Sequence, residues 1–211
     1  MFYFSKRKQN LSRLILGLIS LSVLVAVVWG YLDGDLQIAN YFHEISDSFV
    51  VHFFHNITVL GQSEYYIIPS LILYFYYKNR DKINAQKALF VLNSVILSAV
   101  VAWVFKIIFG RFRPSFYFDD GRYGFDYFHL MHNLTSFPSG HSATIFSVAV
   151  AFSALFPRYR FAFWTVALMV ALSRVVIVRH FFSDVVFGSF IGAVTAYYLY
   201  KFVYKERFEN V

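Results

Sequence analysis

Residues 161–204 read FAFWTVALMVALSRVVIVRHFFSDVVFGSFIGAVTAYYLYKFVY: two apolar runs, 161–178 and 185–204, joined by a short polar stretch. Each run approaches the roughly 20 residues that a helix needs to cross about 30 Å of hydrocarbon. Ser173 and Arg174 interrupt the first run near its end, and Arg179, His180, Ser183 and Asp184 lie between the two. If the segment after Arg179 is helical, His180 and Asp184 stand one turn apart on one face, where the carboxylate can fix the imidazole tautomer and support charge building on it. Arg174 adds a planar fork of donors suited to a phosphate oxygen. Taken alone, the stretch also suits a plain helix end in which Arg174 and Asp184 pair and His180 fills the interface.

The rest of the chain favours a membrane setting. Of its 211 residues 58% are hydrophobic and 22% aromatic, with only 15% charged, and the mean hydropathy is +0.54. This predicts an all-α integral membrane bundle of about six transmembrane helices, one domain over residues 1–211 with its motif-bearing core at 100–204. The formal charge of +7 sits in short groups at the ends of apolar runs rather than in a patch interleaved with polar residues, so it reports topology and argues against nucleic acid. With no cysteine, disulfides, thiol catalysis and thiolate metal sites are excluded.

The first run, from Leu14 to about Tyr31, ends in Trp29-Gly30-Tyr31 without a small-x-small cleavage site, and is expected to be an uncleaved membrane helix. Residues 33–61 read as a loop holding Asp33, Asp35, His43, His52 and His55, with Phe49, Phe53 and Phe54 on an amphipathic interfacial helix. Further runs are expected at 64–77, 88–109 and about 143–156, with a basic loop at 78–87 and a polar, aromatic segment at 110–137. Lys6, Arg7, Lys8 and Arg13, then Lys78, Arg80, Lys82 and Lys87, then Arg158 and Arg160, and last Lys205 and Arg207 fall on one side of a six-helix bundle. By the positive-inside rule that side is cytoplasmic, with both termini, and the His180 stretch faces outward.

Two further stretches reach the same outer face. Lys106 and Arg113-Pro114 place two cations where a helix leaves the membrane, and Pro138-Ser139-Gly140-His141 precedes a helix whose first N–H groups favour an anion. Lys106, Arg113 and Arg174, with donors from Ser139 and Gly140, make a cage for a tetrahedral dianion. These cations also argue against a metal on His141, His180 and Asp184, since they would repel it. At roughly 2.5–3.5 kcal/mol per charge near the membrane core, three together require a counter-anion or water.

Lys106 to Pro114, Pro138 to His141 and Ser173 to Asp184, in this order, resemble the three signature motifs of the type 2 phosphatidic acid phosphatase superfamily, related to the vanadium-dependent haloperoxidases. The resemblance runs from Lys106 to the end of the chain; the first two helices fit by topology only. It implies a metal-independent bacterial inner-membrane lipid phosphatase without cofactor, acting on a lipid phosphate at the periplasmic face. His180 would be the nucleophile that takes the phosphoryl group as a phosphohistidine intermediate, Asp184 its orienting partner and His141 the proton donor. Lys106, Arg113, Ser139, Gly140 and Arg174 would hold the phosphate. Arg111, Arg122 and Arg179, on the outer face but outside the motif roles, are read first as solvated surface cations and second as candidate headgroup contacts. The substrate would be a membrane lipid phosphate such as undecaprenyl diphosphate, phosphatidylglycerol phosphate, lipid A phosphate or phosphatidic acid, with no obligate protein partner. A phosphotransferase with the same intermediate, and a non-enzymatic anion-binding protein, are the competing readings.

Overall fold

The computed structural model describes residues 2–128 and 134–209, and among them the architecture is helical. Helix α1 spans Phe2–Trp29 and passes through a π-helical turn, Gly30–Gly34, into α2, Asp35–Glu44. Residues 33–44 are therefore helix and not loop, because Trp29 and Gly34 both keep right-handed helical angles and nothing breaks the chain. The π turn adds a residue to the helical path and leaves Gly30, Gly34 and Asp35 facing inward and buried. Next comes α3, Phe49–Ile57, capped by Ser48, whose hydroxyl accepts from the Val51 amide. It is helical as expected, with Phe49 and Phe53 exposed.

Helix α4 spans Glu64–Tyr77 and α5 spans Lys82–Phe109. The basic connection is shorter than expected, since Asp81 caps α5 by accepting from Asn84 N at 3.0 Å and helix begins at Lys82. Gly110 ends α5 at φ +54°, where an added Cβ would land on the Asp126 carbonyl. The polar segment that follows contains α6, Pro114–Asp120, with proline at its first position, and residues 129–133 of it lie outside the described residues. Three helices complete the bundle: α7, Gly140–Leu155; α8, Arg160–Val176; and α9, Phe182–Leu199. A second π turn, Tyr200–Tyr204, leads to α10, Lys205–Glu209.

The protein is a multi-pass membrane bundle. By length and composition 13–44, 82–109, 157–176 and 182–208 can each cross a bilayer, so length alone supports four of the six expected crossings. The apolar α7, with 16 residues, and α4, with 14, are shorter. Leu14, Leu18, Leu21, Trp103 and Phe161 are among the large apolar side chains left on the outside, as a lipid-facing surface requires.

Helix α7 is central, packed against α5, α8 and α9. Lipid is as apolar as leucine, so helices in a membrane associate through close packing and interhelical hydrogen bonds, each worth roughly 0.6–2 kcal/mol. Both are present. Gly188 and Gly192 of α9 lie one turn apart against the backbone of Ser139 and Ala143, where an added Cβ would strike a carbonyl oxygen. Ser98 donates to Ser147 at 3.2 Å, joining α5 to α7, and Asn93 donates to the Tyr204 hydroxyl at 2.6 Å beside the buried Phe90, Val91 and Ala151. Because the helices alternate in direction, the C-terminal ends of α1, α5 and α8 meet the N-terminal ends of α4, α7 and α9 at one end of the bundle.

Candidate active site

His180 does not sit on a helix with Asp184. Helix α8 stops at Val176, Val178 takes φ +53°, and the Arg174 carbonyl accepts from both Arg179 N and His180 N at 3.1 Å. The chain doubles back, Phe181 caps α9, and Asp184 lies in the first turn with Oδ2 accepting from the Phe181 amide at 2.9 Å. His180 thus meets Asp184 from just outside the helix, with Nδ1 3.5 Å from Oδ2. That carboxylate oxygen also accepts from Ser136 Oγ at 2.6 Å, and the same hydroxyl lies 3.4 Å from His180 Nδ1. With Nδ1 directed at Ser136 and Asp184, Nε2 is the nitrogen available for chemistry.

His180 is 4% exposed, and its burial holds its pKa well below the ordinary histidine range. The hydrogen bond to Asp184 opposes this, while Arg113, Arg174 and Lys106 push the same way as burial. The imidazole is therefore neutral, with a lone pair free. Burial also lowers Arg113, partly offset by Asp184 and reinforced by Arg179, but a guanidinium stays charged at any physiological pH.

Lys106, near the end of α5, donates to the Thr135 carbonyl, and Arg174, at the end of α8, donates to Thr58 Oγ1 at 2.7 Å. Ser139 is fully buried and serves as the N-cap of α7: its hydroxyl accepts from Ser142 N, and its own amide donates to the Asp184 carbonyl at 2.9 Å. The amides of Gly140 and His141 belong to the first turn, where helices have no internal acceptors. Gly140, His141 and Lys106 border a cavity of about 360 Å³ whose other walls include Ala99, Ala102 and Trp103 on one side and Gln62, Ser63 and Glu64 on another. Gly61 makes room for His141: a Cβ there would come within 2.9 Å of the ring's Cδ2.

The alternative of a plain helix end does not hold, because Asp184 pairs with Arg111 and not with Arg174: Arg111 Nη1 lies 2.6 Å from Asp184 Oδ1. Arg111 is not a headgroup contact: it is fully buried, with Nη2 2.7 Å from Asp35 Oδ2 and hydrogen bonds to Ser183 and Tyr123. Burial alone would lower its pKa, but Asp184 and Asp35 outweigh that and raise it. Arg122 instead pairs with Asp120 at the surface, and Arg179 is exposed. His52 and His55 are exposed on α3, and among the described residues no three His, Cys, Asp or Glu side chains converge as metal ligands would. Sequence reasoning missed Asp35, Ser136, Thr58 and Arg111 as parts of the site. Ser136, two residues before Pro138, was the nearest to a signal.

A sequence model of the PAP2 superfamily matches residues 87–208. Lipid A 1-phosphatase of Rhizobium johnstonii is 34% identical over 156 residues, covering 68% of this chain and 64% of that protein. Lipid A 4′-phosphatase of Porphyromonas gingivalis is 30% identical over 139 residues, covering 63% and 57%. The chain thus spans somewhat under two thirds of the length of these relatives. The crystal structure of LpxE of Aquifex aeolicus superposes with a TM-score of 0.61 at 22% identity, over 80% of this chain and 95% of that one, a likeness of fold.

Proposed function

The chain belongs to the PAP2 superfamily, and on that premise we propose that it is a membrane lipid phosphatase working through a phosphohistidine on His180. The observation that carries the reading is the buried imidazole of His180, directed through Nδ1 at Asp184 and Ser136, which leaves Nε2 for attack; Lys106, Arg113 and Arg174 all disfavour a charge on it. A phosphate dianion would answer those three charges, and its phosphorus would then lie before Nε2.

In the first step Nε2 attacks phosphorus, the bond to the lipid oxygen breaks, and His141, which must enter the step as the imidazolium beside the bound phosphate dianion, supplies that oxygen with a proton. In the second step His141, now the base, takes a proton from water, whose oxygen attacks phosphorus and releases His180 and inorganic phosphate. Arg113, Arg174, Lys106 and the Gly140 and His141 amides would hold the non-bridging oxygens as charge shifts among them. Ser139 accepts the cap bond through its oxygen and keeps its own O–H to donate beside these amides. No metal or cofactor is assigned a role.

The relatives' names make a lipid A phosphate the leading substrate. The cavity between α4, α5 and α7 would let lipid chains lie along Ala99, Ala102 and Trp103 while the phosphate stays at the helix ends. The asymmetry of lysine and arginine would put the termini in the cytoplasm and the site in the periplasm of a bacterial inner membrane. The deciding experiment is phosphate release by the purified protein from a panel of lipid A, undecaprenyl diphosphate, phosphatidylglycerol phosphate and phosphatidic acid in detergent. Release from one or more lipids is expected. Release from none, with phosphate instead carried into liposomes, would refute the enzyme reading.

A further inference from the structure

On the Oδ1 side of Asp184, opposite the oxygen that meets His180 and Ser136, one guanidinium holds two carboxylates. Arg111 reaches Asp184 Oδ1 and Ser183 Oγ through Nη1, both at 2.6 Å, and Asp35 Oδ2 and the Tyr123 hydroxyl through Nη2. The Asp35 carboxylate also accepts from Ser183 N at 2.8 Å. Phe181, Tyr31, Tyr123 and Phe125 put their rings within 4.6–5.3 Å of the guanidinium carbon and exclude water. Fully buried here, Arg111 contacts Asp184 at Oδ1 and has no access to a substrate.

We infer that Arg111 and Asp35 are positioning residues for the histidine chemistry: Arg111 holds Asp184 by Oδ1 so that Oδ2 faces His180, and Asp35 holds Arg111. The inference rests on His180 as nucleophile. Asp35 comes from the start of α2, so the π turn after α1 carries the first helix pair into the site. The charges are closely set. Asp184 is faced by Arg111, His180 and Ser136, by Lys106 and Arg113 at longer range, and by Asp35 and Tyr123 across the guanidinium. Without Arg111, two buried carboxylates would stand together with no charge between them, and such a pair holds a proton.

The test is the pH profile of lipid phosphate release by Arg111→Gln, Asp35→Asn and the double variant. Loss of partners behind a reacting group costs about 10- to 100-fold. Arg111→Gln should lose about that much kcat at pH 6 with KM nearly unchanged, and the loss should shrink as pH rises and the shared proton leaves. Adding Asp35→Asn should restore part of the rate at pH 6, because Asp184 then no longer has a second carboxylate beside it. A merely structural role predicts the opposite, a double variant as poor as Arg111→Gln or poorer with an unmoved pH profile, and that result would overturn the inference. Should Arg111→Gln not fold, Asp35→Asn alone decides: lower kcat at constant KM supports the inference, and unchanged kcat refutes it. Failure of the nucleophile reading would show separately, as activity in His180→Ala.

Discussion

Gly61→Ala tests the proton-donor role proposed for His141 without altering that residue. A Cβ at residue 61 would stand 2.9 Å from His141 Cδ2, 2.9 Å from Val170 Cγ1 and 3.0 Å from His141 Cβ. Carbon atoms settle at about 3.5–4.0 Å, so both neighbours must give way, by roughly 0.6–1 Å in all at each contact. Val170 is fully buried in the cluster with Ile145, Ala149 and Ala167, so the chain at residue 61 is pushed off it towards His141, which is half-buried, borders the cavity and moves the more. A displacement of about 1 Å costs on the order of 10²-fold when geometry is limiting, within the 10²–10⁴-fold that a general acid supplies. Gly61→Ala should therefore lower kcat on a lipid monoester by about 10- to 100-fold, and overpacking should lower stability by about 1–3 kcal/mol. The assay is rapid-mixing with an aryl phosphate, whose leaving group needs no proton. The first burst of aryl alcohol should survive, while later turnovers, which need water activated by His141, should slow. Equal loss in burst and steady state, or no loss at all, would refute the placement of His141.

His180→Ala should abolish turnover on every substrate, and Asp184→Asn should slow burst and steady state alike; label trapped on His141 in the wild type would reverse the roles. Phosphate release should survive EDTA, and restoration by magnesium or zinc after a chelator-induced loss would contradict the cation cage. A periplasm-active reporter fused after Val211 should be silent, and activity would invert the topology. Burial keeps folded His180 below its unfolded value of about 6.5, so between the two values the unfolded chain binds the extra proton. Its contribution to stability is full above about pH 6.5 and drains as pH falls. Melting in detergent should show a shallower acid slope for His180→Phe than for wild type, and identical slopes would refute a neutral buried ring.

The apolar runs made the helices legible, and the three motifs named the groups that meet at one end of the bundle. What stayed hidden depends on partners distant in sequence. Arg111 reads as an exposed loop cation until Asp35, 76 residues away, folds against it. Asp35 reads as loop because an acid after an apolar run suggests an exit from the membrane, and no local signal marks the π turn that directs it inward. The expected helical spacing of His180 and Asp184 reached the right neighbours by a different path, since the left-handed Val178 reverses the chain before α9 begins.

The amide of Ser139 donates to the carbonyl of Asp184, and Gly188 lies directly beneath Ser139. The distance between the turn that would cradle a phosphate and the helix that orients its attacker is thus set by main chain and not by rotamers. The walls that would meet the rest of a lipid, Gln62 to Glu64 and Trp103, hang from other elements. Such a division makes the chemistry a fixed chassis and the lining a replaceable fitting. Exchanging residues 62–64 between relatives, with Gly61 kept, should then change which lipid is accepted while the attack geometry is inherited intact.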